Sequence, residues 1–282
     1  MKNIIKQLVK SGINLVVRMA VRTVVGRYFL AQISSGAMDR IRSVLHQGVE
    51  LTFVVPNAIS HYRIDTFSTK EPETLEWIEG IPQGSVLWDI GANIGLYTCY
   101  AAKARGCRVF SFEPSVFNLE LLARNIFLNG LTDQTTIIPI PLSDALAFST
   151  LNMGTTEWGG AMSTFDKDYG HDGQALDRTF EFPTVGISMV DAVELLRIPK
   201  PDYIKMDVDG IEHLILKGGA TVLWDIQGIL IEINEEFEKQ SEDSTRYLVD
   251  AGLVLKEKRQ SDIFKGGPYQ HIFNQIWHRP QT

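Results

Sequence analysis

The sequence predicts a doubly wound α/β fold, a seven-stranded and mostly parallel sheet with a helical extension at its N-terminal end. Three observations carry this. Short apolar runs at 86–90, 108–112, 136–140, 203–208 and 226–233 read as buried strands, and segments of helical period alternate with them. The first run ends in a turn of small residues, Gly91, Ala92 and Gly95, which feeds a helix and then a strand tipped by Glu113. The 282 residues, 44% hydrophobic and 22% charged, suffice for one substantial core plus an accessory segment.

Residues 1–67 are expected to form that accessory segment and 68–282 the main domain. Lys2, Lys6, Lys10, Arg18, Arg22 and Arg27 precede the first acid, Asp39, and Ile5, Leu8, Val9, Ile13, Val16, Val17, Val21 and Val24 are interleaved at near-helical spacing. This pattern predicts one or two basic amphipathic helices. Arg18 and Arg22 interrupt the apolar runs well short of the about 20 residues that a membrane span needs. No small-residue cleavage site follows a long apolar core, so the pattern is not that of a secretory signal. Such helices either lie across the main domain or a second copy of the chain, as in a homo-oligomer, or rest on anionic lipid through residues 1–30.

The net charge of -7 argues against broad binding to duplex nucleic acid. The two cysteines, Cys99 and Cys107, read as buried thiols and suit neither a disulfide framework nor a zinc site. The expected location is therefore the cytoplasm, with the inner face of the membrane as the variant that the basic helices allow.

Along the chain, 50–55 reads as a strand stopped by Pro56-Asn57, and 61–67 as another short one. Ser68-Thr69-Lys70-Glu71 fits a capping box with Pro72 in the first turn, so a helix is expected through Leu75 and Ile78 to Gly80. Strand 86–90 is followed by a helix at 94–103, strand 108–112, a helix at 117–128 closed by Asn129-Gly130, and strand 136–140. Residues 144–186 break the rhythm. They read as a hairpin of strands 147–152 and 179–185 joined by a long loop, 153–178, the candidate substrate cover. Alternation resumes with a helix at 189–196, strand 203–208, a helix at 211–217, strand 226–233 and a helix at 238–250. A hairpin-like pair, 253–256 and 272–278, closes the sheet.

The turn at 91–95 discriminates between nucleotides. Glycines let a backbone approach a ligand, and an acid at the tip of the next strand accepts hydrogen bonds from ribose hydroxyls. A dinucleotide fingerprint, however, needs a second glycine where Asn93 stands, and no Lys-Ser/Thr follows to make a phosphate-binding loop. Asp89 adds negative charge close to where a phosphate would lie. A phosphate-free nucleoside that carries a positive charge fits better.

Four motifs occur in order: Asp89-Ile90-Gly91-Ala92-Asn93-Ile94-Gly95, Phe112-Glu113-Pro114, Leu142-Ser143-Asp144, and Ile204-Lys205-Met206-Asp207-Val208-Asp209-Gly210-Ile211-Glu212. As a set, over about residues 68–235, they resemble the FkbM-type S-adenosylmethionine-dependent methyltransferases. That family's D-V-E-G-x-E block stands here as D-V-D-G-I-E, with Asp209 in place of Glu. The resemblance implies a class I, Rossmann-like methyltransferase fold with S-adenosylmethionine as methyl donor. It implies that Gly91, Asn93 and Gly95 shape the donor turn, that Asp89 orients the methionyl portion and that Glu113 holds the ribose. Phe112 and Val116 would flank the adenine, and Ser143-Asp144 would meet its amino group.

Methyl transfer to a hydroxyl calls for a general base near the methyl group. Candidates lie at the carboxyl ends of the fourth and fifth strands, where doubly wound sheets bind ligands. Asp207 comes first, followed by Asp209, Glu212, His213, Glu232 and Asn234, while Lys205 reads as an ion-paired strand residue. Trp158, Phe165, Tyr169 and His171 in the long loop are candidates to stack on a sugar ring. The resemblance implies a small-molecule or glycan hydroxyl as acceptor, surface glycans included, and the basic start points to a membrane-linked one such as a lipopolysaccharide or glycolipid precursor. No metal is assigned. Two other readings share these residues: a metal-dependent glycosyltransferase using Asp207 and Asp209 as a D-x-D site, and a non-catalytic scaffold that keeps the fold.

Overall fold

A computed structural model describes residues 2–261, 264, 266–267 and 269–280. The chain opens with α1 (Lys2–Ala20) and α2 (Val24–Met38), then the antiparallel hairpin β1 (Ile41–His46) and β2 (Val49–Val54). Three short helices follow: α3 (Ala58–Asp65), α4 (Phe67–Lys70) and α5 (Pro72–Glu79). The first sheet strands and their helices are β3 (Val86–Ile90), α6 (Leu96–Arg105), β4 (Arg108–Phe112), α7 (Val116–Leu128) and β5 (Thr135–Ile138). The insertion supplies β6 (Ala147–Met153), β7 (Ser163–Phe165) and β8 (Phe180–Gly186). Alternation resumes with α8 (Met189–Glu194), β9 (Tyr203–Met206), α9 (Glu212–Lys217), α10 (Ala220–Leu223), β10 (Gly228–Asn234) and α11 (Glu238–Asp250). The last strands are β11 (Val254–Arg259) and β12 (Ile272–His278).

The central sheet has seven strands in the order β5-β4-β3-β9-β10-β12-β11. The five from β5 to β10 are mutually parallel, and β12 runs antiparallel between β10 and β11. This is the doubly wound, mostly parallel sheet expected from the strand pattern. Alternation along the strands sorts side chains between two apolar layers. Trp88, Ile90, Ile204, Met206, Ile231 and Ile233 enter the layer under α8, α9 and α11. Leu87 and Val109 enter the other, with Leu75 and Ile78 of α5 and Tyr100 of α6. Asp89, Lys205 and Glu232 alternate with the first set and so belong to the α5–α6 side, where a buried strand normally carries apolar residues.

Two local expectations are corrected. Residues 61–67 are helical, because Asn57 caps α3 by accepting the Ser60 N–H (2.9 Å), and Ile64 and Phe67, three residues apart, then reach the core. The capping box at 68–71 does not form: the Ser68 hydroxyl bonds His46 Nδ1 at 2.9 Å, and Glu71 pairs with Lys70. Strand β1, which the sequence pattern did not announce, has mostly exposed residues and therefore no clear alternation. In the insertion, β7 adds to the hairpin to give a three-stranded antiparallel sheet, β7-β6-β8. Among the described residues, no helix is long and apolar enough to cross a membrane.

Candidate active site

The site begins at the β3–α6 turn. Gly91 has φ +83°, and a Cβ there would stand 1.8 Å from the Asp207 carbonyl oxygen, so only glycine fits. The N–H groups of Gly91 and Ala92 both donate to the Phe112 carbonyl, at 2.9 and 3.1 Å, which folds the turn back over β4. The Asn93 N–H donates to Glu113 Oε2 (2.7 Å) and the Ser115 N–H to Oε1 (2.8 Å). Each carboxylate oxygen still has a lone pair to offer a hydroxyl. Burial pushes the Glu113 carboxyl up to about 7, against the opposing pull of these N–H groups. The insertion is fastened to this turn: Asn93 and Asn118 side chains donate to the Gly160 carbonyl at 2.7 and 3.1 Å.

Two cavities meet here. The narrower is lined by Phe112, Glu113, Ile140, Leu142, Ala161 and Phe165. The wider, about 350 Å³, is walled by Arg63, Lys70, Tyr97, His171, Lys205 and Glu232. Gly91, Asn93, Ala161, Asp207 and Asp209 line both, so a ligand in one can present its end to the other. The acid beside a glycine turn and the apolar walls beyond it match a nucleoside. The shared wall at Asp207 matches a positive charge at the far end of the same ligand.

A buried charge cluster floors the wider cavity. Lys205 Nζ lies 3.2 Å from Asp207 Oδ2 and 4.0 Å from Asp89 Oδ1. Burial works to discharge this ammonium, but Asp207, Asp89 and Glu71 outweigh it and raise its pKa. Asp207 is the reverse: burial favours its protonated form, yet Lys205 and Lys70 hold its carboxyl below the ordinary range. Glu71 accepts from Tyr97 Oη at 2.9 Å and pairs with Lys70 at 2.5 Å. Glu232 has no hydrogen-bond or ion-pair partner among the described residues. Burial, with Asp207 and Glu71 nearby, pushes its carboxyl well above the ordinary value.

The FkbM methyltransferase domain model matches residues 89–255, more than half of the chain. The chain belongs to the FkbM methyltransferase family. It is a methyltransferase, and S-adenosylmethionine is its methyl donor. It is 26% identical over 228 residues to the hexuronic acid methyltransferase AglP of Haloferax volcanii, a match covering 78% of this chain and 85% of that protein. Among solved structures, a candidate SAM-dependent methyltransferase from Streptococcus mutans shares the fold. Its TM-score is 0.50 at 11% identity, over 84% of this chain and 55% of that one.

Within this family member the expected site residues separate. Gly91, Asn93, Phe112, Glu113, Asp207 and Asp209 come together around the narrower cavity. Asp89 does not reach either wall. It is buried behind the turn, where Oδ2 accepts from Thr98 Oγ1 (2.6 Å) and Oδ1 has no hydrogen-bond partner among the described residues. Gly95 caps α6 from behind, a Cβ there meeting Leu122 at 2.5 Å. Ser143 is buried, its N–H on the Ile187 carbonyl, and Asp144 pairs with Lys217 (2.8 Å) outside both cavities. Val116 is exposed.

The candidate bases separate in the same way. Glu212 accepts from the N–H groups of Val208 (3.0 Å) and Gly210 (3.1 Å) and from Gln240, so it ties the loop after β9 instead of facing either cavity. His213 packs edge-on against Phe237, and burial drives its pKa down to about 4. Asp209 reaches both cavities, but its Oδ2 is held by the N–H groups of Met162 (2.6 Å) and Ser163 (3.2 Å). Asp207 sits on Lys205, so the two acids of the D-x-D motif serve different partners, and the family assignment sets aside both the glycosyltransferase and the scaffold readings. Of the loop aromatics, His171 alone lines the wider cavity. Phe165 lines the narrower, Trp158 packs against the apolar layer on the α5–α6 side of the sheet, and Tyr169 stacks edge-on against Phe237.

Arg63, Lys70, Glu71 and Tyr97 were not foreseen. The first three precede the residues that the family model matches: Arg63 is on α3, which a strand-like reading of 61–67 conceals, Lys70 ends α4 and Glu71 links α4 to α5. Tyr97 lies inside the match, on the face of α6 that an amphipathic pattern assigns to core.

Proposed function

We propose that the methyl group goes to a hydroxyl of a carbohydrate, and that the acceptor is an acidic sugar. The observation that carries this is Arg63. It lines the wider cavity half-buried, its Nε donates to the Gly159 carbonyl at 2.7 Å, and among the described residues it has no carboxylate partner. A guanidinium fork suits a carboxylate. The relative from Haloferax is named for hexuronic acid, a sugar with such a group.

In this reading Glu113 accepts hydrogen bonds from the donor's ribose hydroxyls, and Phe112 and Leu142 cover its base. S-adenosylmethionine supplies a methyl group bound to a positive sulfur, and that charge disappears on transfer. Asp207, kept ionised by Lys205, faces the cationic end. Glu232 takes the proton from the acceptor hydroxyl: with its affinity for protons raised by burial, it is the stronger base of the two. Much of the acceleration comes from holding acceptor and donor in line, worth about 7–11 kcal/mol in favourable cases.

The test is incubation of the purified protein with labelled S-adenosylmethionine and oligosaccharides that differ only in bearing a uronate or the corresponding neutral hexose. Label on a hydroxyl of the uronate series supports the reading. Label on the neutral series alone, or only on non-carbohydrate alcohols, overturns it.

A further inference from the structure

We propose that α1 and α2 form a docking surface for an anionic lipid bilayer. None of the residues of α2 is buried, and the described side chains of α1 are exposed apart from half-buried Ala20, so the chain's own domain does not cover these helices. On α1, Leu8, Val9, Ile13, Leu15, Val16 and Met19 fall on one broad face, with Asn14 and Arg18 opposite its centre. On α2, Val25, Phe29 and Ile33 repeat every four residues, all more than half exposed, with Tyr28 beside them.

The junction between the helices is built. Thr23 caps α2 by accepting the Gly26 N–H (2.9 Å), and Arg27 Nη1 donates to the Val21 carbonyl (3.1 Å). A Cβ at Gly26 would stand 2.1 Å from the Ala20 carbonyl oxygen, so the two backbones meet closely there. At its far end α2 joins the domain through Met38, which packs against the core layer of β2 and α6.

Charge selects the occupant. Residues 1–38 carry six lysines and arginines and no acid, although the whole chain is at -7. A second copy would bring this positive segment against its twin. An anionic membrane meets both requirements at once, taking the apolar side into the acyl boundary and the cations at the headgroups. The helices lie partly within their interface and do not span it. This surface is independent of the acceptor identity proposed above, and the two fail separately.

The test is flotation of the full chain with vesicles of phosphatidylcholine, alone or mixed with phosphatidylglycerol. Binding is expected to the mixed vesicles, weakening as salt screens it. The triple variant R18E/R22E/R27E should bind about 100-fold more weakly, since each basic residue near an anionic surface contributes a several-fold factor. The pair L15D/V16D should abolish binding. Both variants should retain wild-type affinity for S-adenosylmethionine, which shows that the domain is folded. The proposal is overturned if wild type binds neither vesicle, if binding survives the triple variant unchanged, or if the variants alter self-association in solution and leave vesicle binding as it was.

Discussion

The Asn93 N–H and Glu113 Oε2, 2.7 Å apart, join the donor turn to the tip of the neighbouring strand. The acid therefore shapes the turn, and in the proposed function its remaining lone pairs accept from the ribose. A hydrogen bond to a charged group contributes about 1.5–3 kcal/mol, so Glu113→Ala should weaken donor binding by roughly 10- to 150-fold. The carboxyl titrates at about 7, above its usual 4.5, so it is neutral below that pH and a carboxylate above it. Donor affinity should rise as pH increases through about 7, and Glu113→Gln should flatten that rise. Calorimetric titration across pH 6 to 8.5 checks both; a wild-type profile that is flat or falls would remove Glu113 from the ribose.

Gly91 and Gly48 separate two costs of replacing a glycine. Both have positive φ, +83° and +79°, but a Cβ at 48 meets nothing within 4 Å, whereas one at 91 strikes the Asp207 carbonyl. Gly48→Ala should cost about 1–2 kcal/mol, the left-handed conformation alone. Gly91→Ala should cost at least about 2 kcal/mol more, because the β3 turn and the chain after β9 must part. Urea unfolding of both variants gives the comparison, and equal losses would contradict the contact.

The sheet was legible because its parallel strands are largely apolar runs, interrupted on one face by Asp89, Lys205 and Glu232, and its turns are marked by glycine and proline. The glycine turn and its acid were legible for a related reason: the geometry of Gly91, Asn93 and Glu113 rests on backbone conformation and a single acid, which are local in sequence. The far wall of the wider cavity was not. Arg63 and Lys70 sit on helices whose short length leaves little period, and 61–67 alternates well enough to pass for a strand. Glu212 and His213 follow a strand end, where functional acids gather, yet whether such a group faces a cavity or ties a loop depends on packing from Gln240 and Phe237, far along the chain. Asp144 was misplaced by its neighbour in space, Lys217, which no local pattern reveals.

Asp207 and Glu232 line one cavity with their proton affinities pushed in opposite directions, the first lowered and the second raised well above 4.5. Opposed shifts of this kind mark different roles. As the proposed base, Glu232 must lose its proton, so transfer should speed up with rising pH. Glu232→Gln should slow transfer by about 10²–10⁴-fold and leave it without that pH dependence. Asp207→Asn should reduce kcat more than donor affinity while keeping the pH profile. Single-turnover rates with labelled donor decide the matter; if Asp207→Asn alone flattens the profile, the two roles are reversed.

Arg63 gives the acceptor reading its sharpest consequence. Its Nε already holds the Gly159 carbonyl, so the side chain is positioned before any acceptor arrives, and the insertion that carries Gly159 is also fastened to Asn93 and Asn118 through Gly160. Arg63→Lys keeps the charge but loses the fork, and Arg63→Ala loses both. With a uronate acceptor, KM should rise by about 10-fold or more in Arg63→Ala and by less in Arg63→Lys, in line with the about 1.5–3 kcal/mol of a charge-assisted pair. With the neutral hexose analogue, the wild type and both variants should be equally poor. Steady-state kinetics on the matched acceptors measure this, and a loss of the same size on both acceptors would show that Arg63 only fastens the insertion.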